Sequence, residues 1–175
     1  MRHIDEIIIH CSATKPNWMQ DQGIRKKVEA IRDWHVNGNG WSDIGYHYVI
    51  DRNGEVRPGR SLARAGAHTK GHNSNSIGIC LIGGYRSQAK DSFEQHYTEF
   101  QRQALIELIQ NLEWQHPTIA KISGHNEYAN KGCPGFQVKP FIALHEGIEP
   151  EPEPENRGLL SLVLEILRGI FRGKG

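Results

Sequence analysis

Cysteine is scarce in this chain, three among 175 residues, and an odd number that small excludes a disulfide scaffold. An excess of charge is equally lacking: 21 Lys and Arg against 20 Asp and Glu leave a formal charge of +1. Without a strongly basic face, nucleic acid is not an expected partner. No apolar run approaches the ~18 residues of a membrane span. The opening MRHIDEIIIHCSAT sets Asp5 and Glu6 in the way of the apolar core a secretory leader requires. The expectation is a monomer made in the cytoplasm, its thiols reduced or engaged by a metal. What is present is ordinary globular material, 37% apolar and 23% charged, at a length suited to one domain with a short appendage.

Ile7-Ile8-Ile9 is a wholly apolar, β-branched run, the pattern of a strand buried on both faces, and it ends at His10. Ile24, Val28, Ile31 and Trp34 recur at helical spacing within residues 22–36, and Asn37-Gly38 supplies a stop. Tyr46 to Ile50 reads as a strand, Asp51-Arg52-Asn53-Gly54 as a hairpin turn and Glu55 to Arg57 as the return. Ile77 to Ile82 is a further interior strand. Thr98 and Gln101 have the spacing of a capping box for a helix whose stripe (Phe100, Leu105, Leu108, Ile109, Leu112) runs to His116-Pro117. Ile119 to Ile122 predicts another strand, and a last short helix begins near Pro140. Strands and helices mix without a regular βαβ period, so the expected class is α/β, a central mixed β-sheet flanked by helices, over residues 1–147.

Residues 149–155 are EPEPEPE, a composition that favours an extended, semi-rigid linker spanning 148–157. Within 158–175, apolar residues at 159, 160, 162, 163, 166, 167, 170 and 171 make a helical stripe, with Glu165, Arg168 and Arg172 opposite. This predicts an amphipathic, cationic C-terminal helix. Three destinations fit it: the domain's own surface, another chain, or an anionic membrane surface met through residues 159–172.

Zinc prefers imidazole and thiolate, and a catalytic site uses three protein ligands and leaves one position open. His125 and Cys133 share one Gly-rich loop, GHNEYANKGCPG, whose irregular backbone can aim both donors at one point. His10 at a strand end offers a rigid third donor. Cys11 is poorly placed to join them, because successive strand side chains point to opposite faces. Spacing alone leaves the choice open, since the chain has ten histidines.

The segments IIIHCSAT, GWSDIGYHYVIDRNGEV, AGAHTKGHNSNSIGICLIGG and GHNEYANKGCPGF, taken in that order, resemble the type 2 N-acetylmuramoyl-L-alanine amidases. The resemblance covers about residues 4–145. It implies the peptidoglycan recognition protein type of fold, a Zn2+ cofactor held by His10, His125 and Cys133, and a peptidoglycan substrate. By position it makes Tyr46 and Lys131 the catalytic residues, and it places muropeptide contacts at His68 and Asn73 to Asn75, with Asn75 the chosen asparagine. The residues alone allow a packed strand aromatic at 46, a solvated lysine at 131 and a structural turn at 68–75. Cys80 reads as a buried, inert thiol, and His47, on the opposite strand face from Tyr46, as structural. The implied activity is hydrolysis of the bond between N-acetylmuramic acid and L-alanine, in a phage or prophage endolysin acting at the wall. Two alternatives are a cytoplasmic muropeptide-recycling amidase and a non-hydrolytic peptidoglycan-binding protein.

Overall fold

The computed structural model describes residues 2–144. The linker at 148–157, the helix expected over 158–175 and the boundary at residue 147 lie outside the described residues. Five strands form one sheet: β1 (Glu6–Cys11), β2 (Tyr48–Ile50), β3 (Val56–Pro58), β4 (Ser76–Leu81) and β5 (Lys121–Gly124), in the order β3-β2-β4-β1-β5. β1 lies parallel between β4 and β5, β2 continues parallel beside β4, and β3 returns antiparallel on β2. The sheet is therefore mixed, as expected.

Every residue of β1 is buried, which its unbroken apolar run requires. Ile7, Ile9 and Cys11 face a layer built by α2 (Glu99–Gln115) and α3 (Val138–Ala143), where Leu105, Ile109, Leu112 and Phe141 pack against them. The other face is covered by α1 (Ile24–Asp33), through Ile24, Val28 and Ile31 against Val49, Cys80 and Ile82. Each fully buried isoleucine contributes about 1.5–3 kcal/mol, so a sheet covered on both sides is what this Ile-rich sequence can stabilise. Among the described residues, no helix is long and apolar enough to cross a membrane.

The capping box forms as the sequence predicts: Thr98 Oγ1 accepts from the Gln101 amide and Gln101 Oε1 accepts from the Thr98 amide, both at 3.2 Å. Gln101 does more. Its Nε2 donates to the carbonyls of Ile50 and Ile82 at 3.3 and 2.9 Å, pinning α2 to the sheet. Several boundaries differ from expectation, and three of the differences are instructive. β2 starts at Tyr48, not Tyr46, because the consecutive amides of Gly59 and Arg60 bond the consecutive carbonyls of His47 and Tyr46, at 2.8 Å each. That breaks the alternation of an antiparallel ladder. β5 starts two residues late because the Ile119 amide turns back onto the His116 carbonyl. α1 gives way after Asp33 to a wider π-type turn over Trp34–Gly38.

Lys27 on α1 reaches Asp51 at the end of β2, Nζ lying 2.7 and 2.8 Å from the two carboxylate oxygens, with both side chains almost wholly buried. Removing one partner strands a buried charge, and such losses cost about 3–5 kcal/mol, whereas replacing both with apolar groups costs far less. Lys27→Ala is expected to lower the urea-unfolding free energy by about 3 kcal/mol, and Lys27→Met with Asp51→Leu by much less. Equal losses in the two proteins would show that the ion pair is not the link between α1 and the sheet.

Candidate active site

Ligands in open α/β sheets collect outside the carboxyl ends of the strands, and the chemistry-bearing residues of this chain meet there. His10, one residue from the end of β1, is 1% exposed. Its Nδ1 lies 3.9 Å from Cys133 Sγ, and its ring centroid is 4.6 Å from that of His125. One donor atom from each of His10, His125 and Cys133 lies within 4.8 Å of the other two. Tetrahedral zinc, with bonds of about 2.0 Å to nitrogen and 2.3 Å to sulfur, sets N and S roughly 3.5 Å apart. Closing from at most 4.8 Å to that spacing is the adjustment zinc would ask of the three donors.

The electrostatics suit a cation. Burial holds His10 well below the ordinary imidazole pKa, with His68, His125 and Lys131 adding to the effect. Burial and Lys131 lower His125 in the same way. Both rings are therefore neutral near pH 7, with a lone pair to give. The hydrogen bond with Cys11 and burial push the Cys133 thiol up, so a thiolate there needs a positive charge beside it. The Cys11 amide donates to Cys133 Sγ at 3.2 Å, a bond that favours the thiolate once formed. Two imidazoles and one such sulfur make a donor set that fits zinc.

Local folding aims these groups. β5 hands over at Gly124 to a short 3-10 turn, His125–Glu127, whose Glu127 Oε1 accepts the Gly124 amide at 2.9 Å. The loop to Cys133 lies flat on the segment around Ser87: a Cβ on Gly132 would sit 1.8 Å from the Ser87 carbonyl oxygen. Glycine is the only residue that allows that approach. Tyr97 donates to the Pro134 carbonyl at 2.5 Å and fixes the far side of the loop.

Tyr46 lies in front of His10, ring centroids 5.3 Å apart. Burial, with nearby thiols adding, raises its phenol well above the usual range, so it stays protonated. His35, on the π-type turn, packs 5.3 Å from Tyr46 and 4.7 Å from Trp41, and accepts the Gly45 amide at Nδ1. Lys131, Trp41, His125 and Tyr128 line an open cavity of about 490 Å³ together with the loop 67–73. Among the described residues, the cavity wall carries Lys70 and Lys131 and no carboxylate.

The structure thus brings together His10, His125, Cys133, Tyr46, Lys131 and His68. Asn75 it does not bring. That residue sits at the other end of β4, where its Nδ2 donates to Asp5 at 2.5 Å and its carbonyl accepts the Asp5 amide. The cavity asparagine is Asn73, whose Oδ1 accepts the amides of His68 and Thr69 at 2.9 Å each. No sequence signal separates the two asparagines, which flank Ser74 in one polar segment ahead of the run Ile77 to Ile82. His35 carried no signal either, because a π-type turn leaves no periodic mark.

A mixed sheet covered on both sides, with two imidazoles and a thiol converging at its carboxyl edge beside a tyrosine and a lysine, defines an α/β enzyme with a metal-binding donor set. The chain belongs to the N-acetylmuramoyl-L-alanine amidase family (Amidase_2), which it matches over residues 1–136. It is 43% identical over 147 residues to the endolysin of Escherichia phage T7, covering 81% of this chain and 87% of that one. It is likewise 43% identical over 141 residues to the endolysin of Klebsiella phage KP32, with the same coverage of 81% and 87%. Among solved structures, the amidase LysC from Clostridium intestinale superposes with a TM-score of 0.66 at 24% identity, over 83% of this chain and 87% of that one. This last likeness shows the fold.

Buried imidazoles also make the fold acid-sensitive. Burial, reinforced by nearby arginines, lowers His47 to about 4, and burial with His47 and His125 lowers His68 to about 3. Unfolded, both titrate near ~6.5. Below that pH the unfolded chain takes up protons that the native state refuses, so stability falls as pH drops toward about 4. The slope is about 1.4 kcal/mol per pH unit for each imidazole. The urea midpoint of metal-free protein should fall clearly between pH 6.5 and 5. A midpoint unchanged over that range would mean these rings are not held neutral.

Proposed function

We propose that the chain cleaves the amide joining the lactyl group of N-acetylmuramic acid to L-alanine in peptidoglycan, using zinc held by His10, His125 and Cys133. Its support is the clustering of those three donors, with Tyr46 beside His10 and with His125 and Lys131 reaching one open cavity. Zinc bound there supplies a Lewis acid that polarises the scissile carbonyl and acidifies water. The protein groups do the rest. Tyr46, kept protonated by burial, orients the attacking water through its phenol. Lys131 places positive charge where the carbonyl oxygen gains negative charge on attack, a preorganised contribution. The amine of L-alanine leaves with the proton delivered from the attacking water. The open cavity admits a polymer strand from the side, and its cationic wall suits the carboxylates of a peptide stem.

The relatives named endolysins, matched across most of their length, support a role in phage lysis of the host wall. A recycling amidase acting on soluble muropeptides would use the same residues. Intact sacculi and soluble fragments, offered in competition, separate the two. Digests should contain peptides with a new L-alanine amino terminus and no new reducing sugar ends, as read by mass spectrometry. Tyr46→Phe and Lys131→Ala should each retain zinc while turnover falls ~10²–10³-fold. New reducing ends without alanine amines would refute the amidase reading, and near-normal turnover in both variants would remove these residues from the mechanism.

A further inference from the structure

His10 has two ring nitrogens, and only one faces the donor cluster. Nδ1 points to Cys133 Sγ, while Nε2 lies 3.0 Å from His68 Nδ1 and 3.3 Å from Thr69 Oγ1. The other nitrogen of His68 lies 3.4 Å from Ser76 Oγ, and that hydroxyl reaches the His72 carbonyl at 2.5 Å. The last member fixes the direction of the whole row, because a backbone carbonyl only accepts. Ser76 spends its proton on His72, so toward His68 its oxygen accepts, and His68 carries its proton on Nε2. His68 Nδ1 then accepts from His10, which places the His10 proton on Nε2 and leaves Nδ1 with a lone pair directed at the cluster.

The sequence makes room for this imidazole and for little else. A Cβ on Gly78 of β4 would lie 2.5 Å from His68 Cδ2, and one on Gly66 only 2.3 Å from the same atom. Gly78 interrupts an Ile-rich strand where a side chain would otherwise pack, and the His68 ring takes that space. His47 holds the site from below: its Nδ1 accepts the Gly78 amide at 2.9 Å, and its ring stands edge-on to His68 at 5.7 Å. Thr69 also lies 3.2 Å from His68 Nδ1, closing the gap between the two rings.

We infer that His68 is a positioning residue for the metal: through Ser76 and the His72 carbonyl it fixes His10 as the Nε2–H tautomer and thereby presents Nδ1 as the ligand. This role is separate from the muropeptide contact that the resemblance implies at His68, and it rests on the zinc reading above. Outer partners of ligating histidines orient the ring and raise its basicity, and losing one costs about 10–100-fold in metal affinity.

The test measures zinc affinity of the full chain by chelator competition, without substrate. His68→Leu, close in bulk but unable to accept, should bind zinc 10–100-fold more weakly. His68→Gln, whose amide can accept from His10 and donate to Ser76, should recover most of that loss. Ser76→Ala keeps the imidazole and removes its anchor, so it should weaken zinc by a smaller factor even if His68→Leu folds poorly. In zinc-loaded protein with ¹⁵N-labelled histidine, His10 should show a protonated Nε2 and a metallated Nδ1. Wild-type affinity in both His68→Leu and Ser76→Ala would overturn the inference alone, as would a raised KM for muropeptide with zinc affinity unchanged. A wild-type chain that takes up no zinc would overturn the zinc reading and this inference together.

Discussion

The parallel register of β1 between β4 and β5 is the constraint on which the site depends. Ile9 pairs with Gly124 on one side and Ile79 on the other, so His10 and His125 leave adjacent strands at the same level and their rings meet. A slip of one residue would send every β1 side chain to the opposite face. His10 would then enter the layer of α2, and Cys11 would face Tyr46. The unbroken burial of β1 prevents such a slip only because the two faces differ: Ile7, Ile9 and Cys11 fit the α2 and α3 layer, while His10 finds its partners on the α1 side.

Polar groups at this depth are costly unless paired, and the histidines pair chiefly with one another and with the backbone. His47 is satisfied by the Gly78 amide and the Arg64 carbonyl, the latter at 3.1 Å. His68 is satisfied by His10 and Ser76, and His35 by the Gly45 amide. Arg2 supports the same region from outside, donating to the carbonyls of Leu62, Ser74 and Ser76. The result is a neutral, preorganised base beneath a cationic cavity wall. At the site, charge stands on the cavity wall, and the histidines beneath it supply lone pairs of fixed direction.

Much of this was legible in the sequence. The apolar run at 7–9 announces a doubly covered strand, Thr98 and Gln101 announce the start of α2, and the resemblance of four ordered segments singles out His10, His125 and Cys133 as donors, which the fold then gathers. What escaped was non-periodic or non-local. The π-type turn that sets His35 against Tyr46 has no sequence period, and the start of β2 depends on amides 12 and 14 residues downstream of the carbonyls they bond. The pairing of His68 with His10 spans 58 residues, and Gly66 and Gly78 gain meaning only once an imidazole is seen between them. Asn73 and Asn75 are identical side chains two residues apart, and only the fold decides which reaches the cavity.

In the proposed mechanism, two imidazoles and one thiolate hold a catalytic zinc ion. That arrangement is tested most directly by metal analysis of purified wild-type and Cys133→Ser protein after exposure to a moderate chelator, with circular dichroism as the check on folding. One zinc per wild-type chain is expected, and a variant that remains folded but loses both its zinc and its release of L-alanine amino ends from sacculi. Full zinc occupancy in folded Cys133→Ser protein would contradict it.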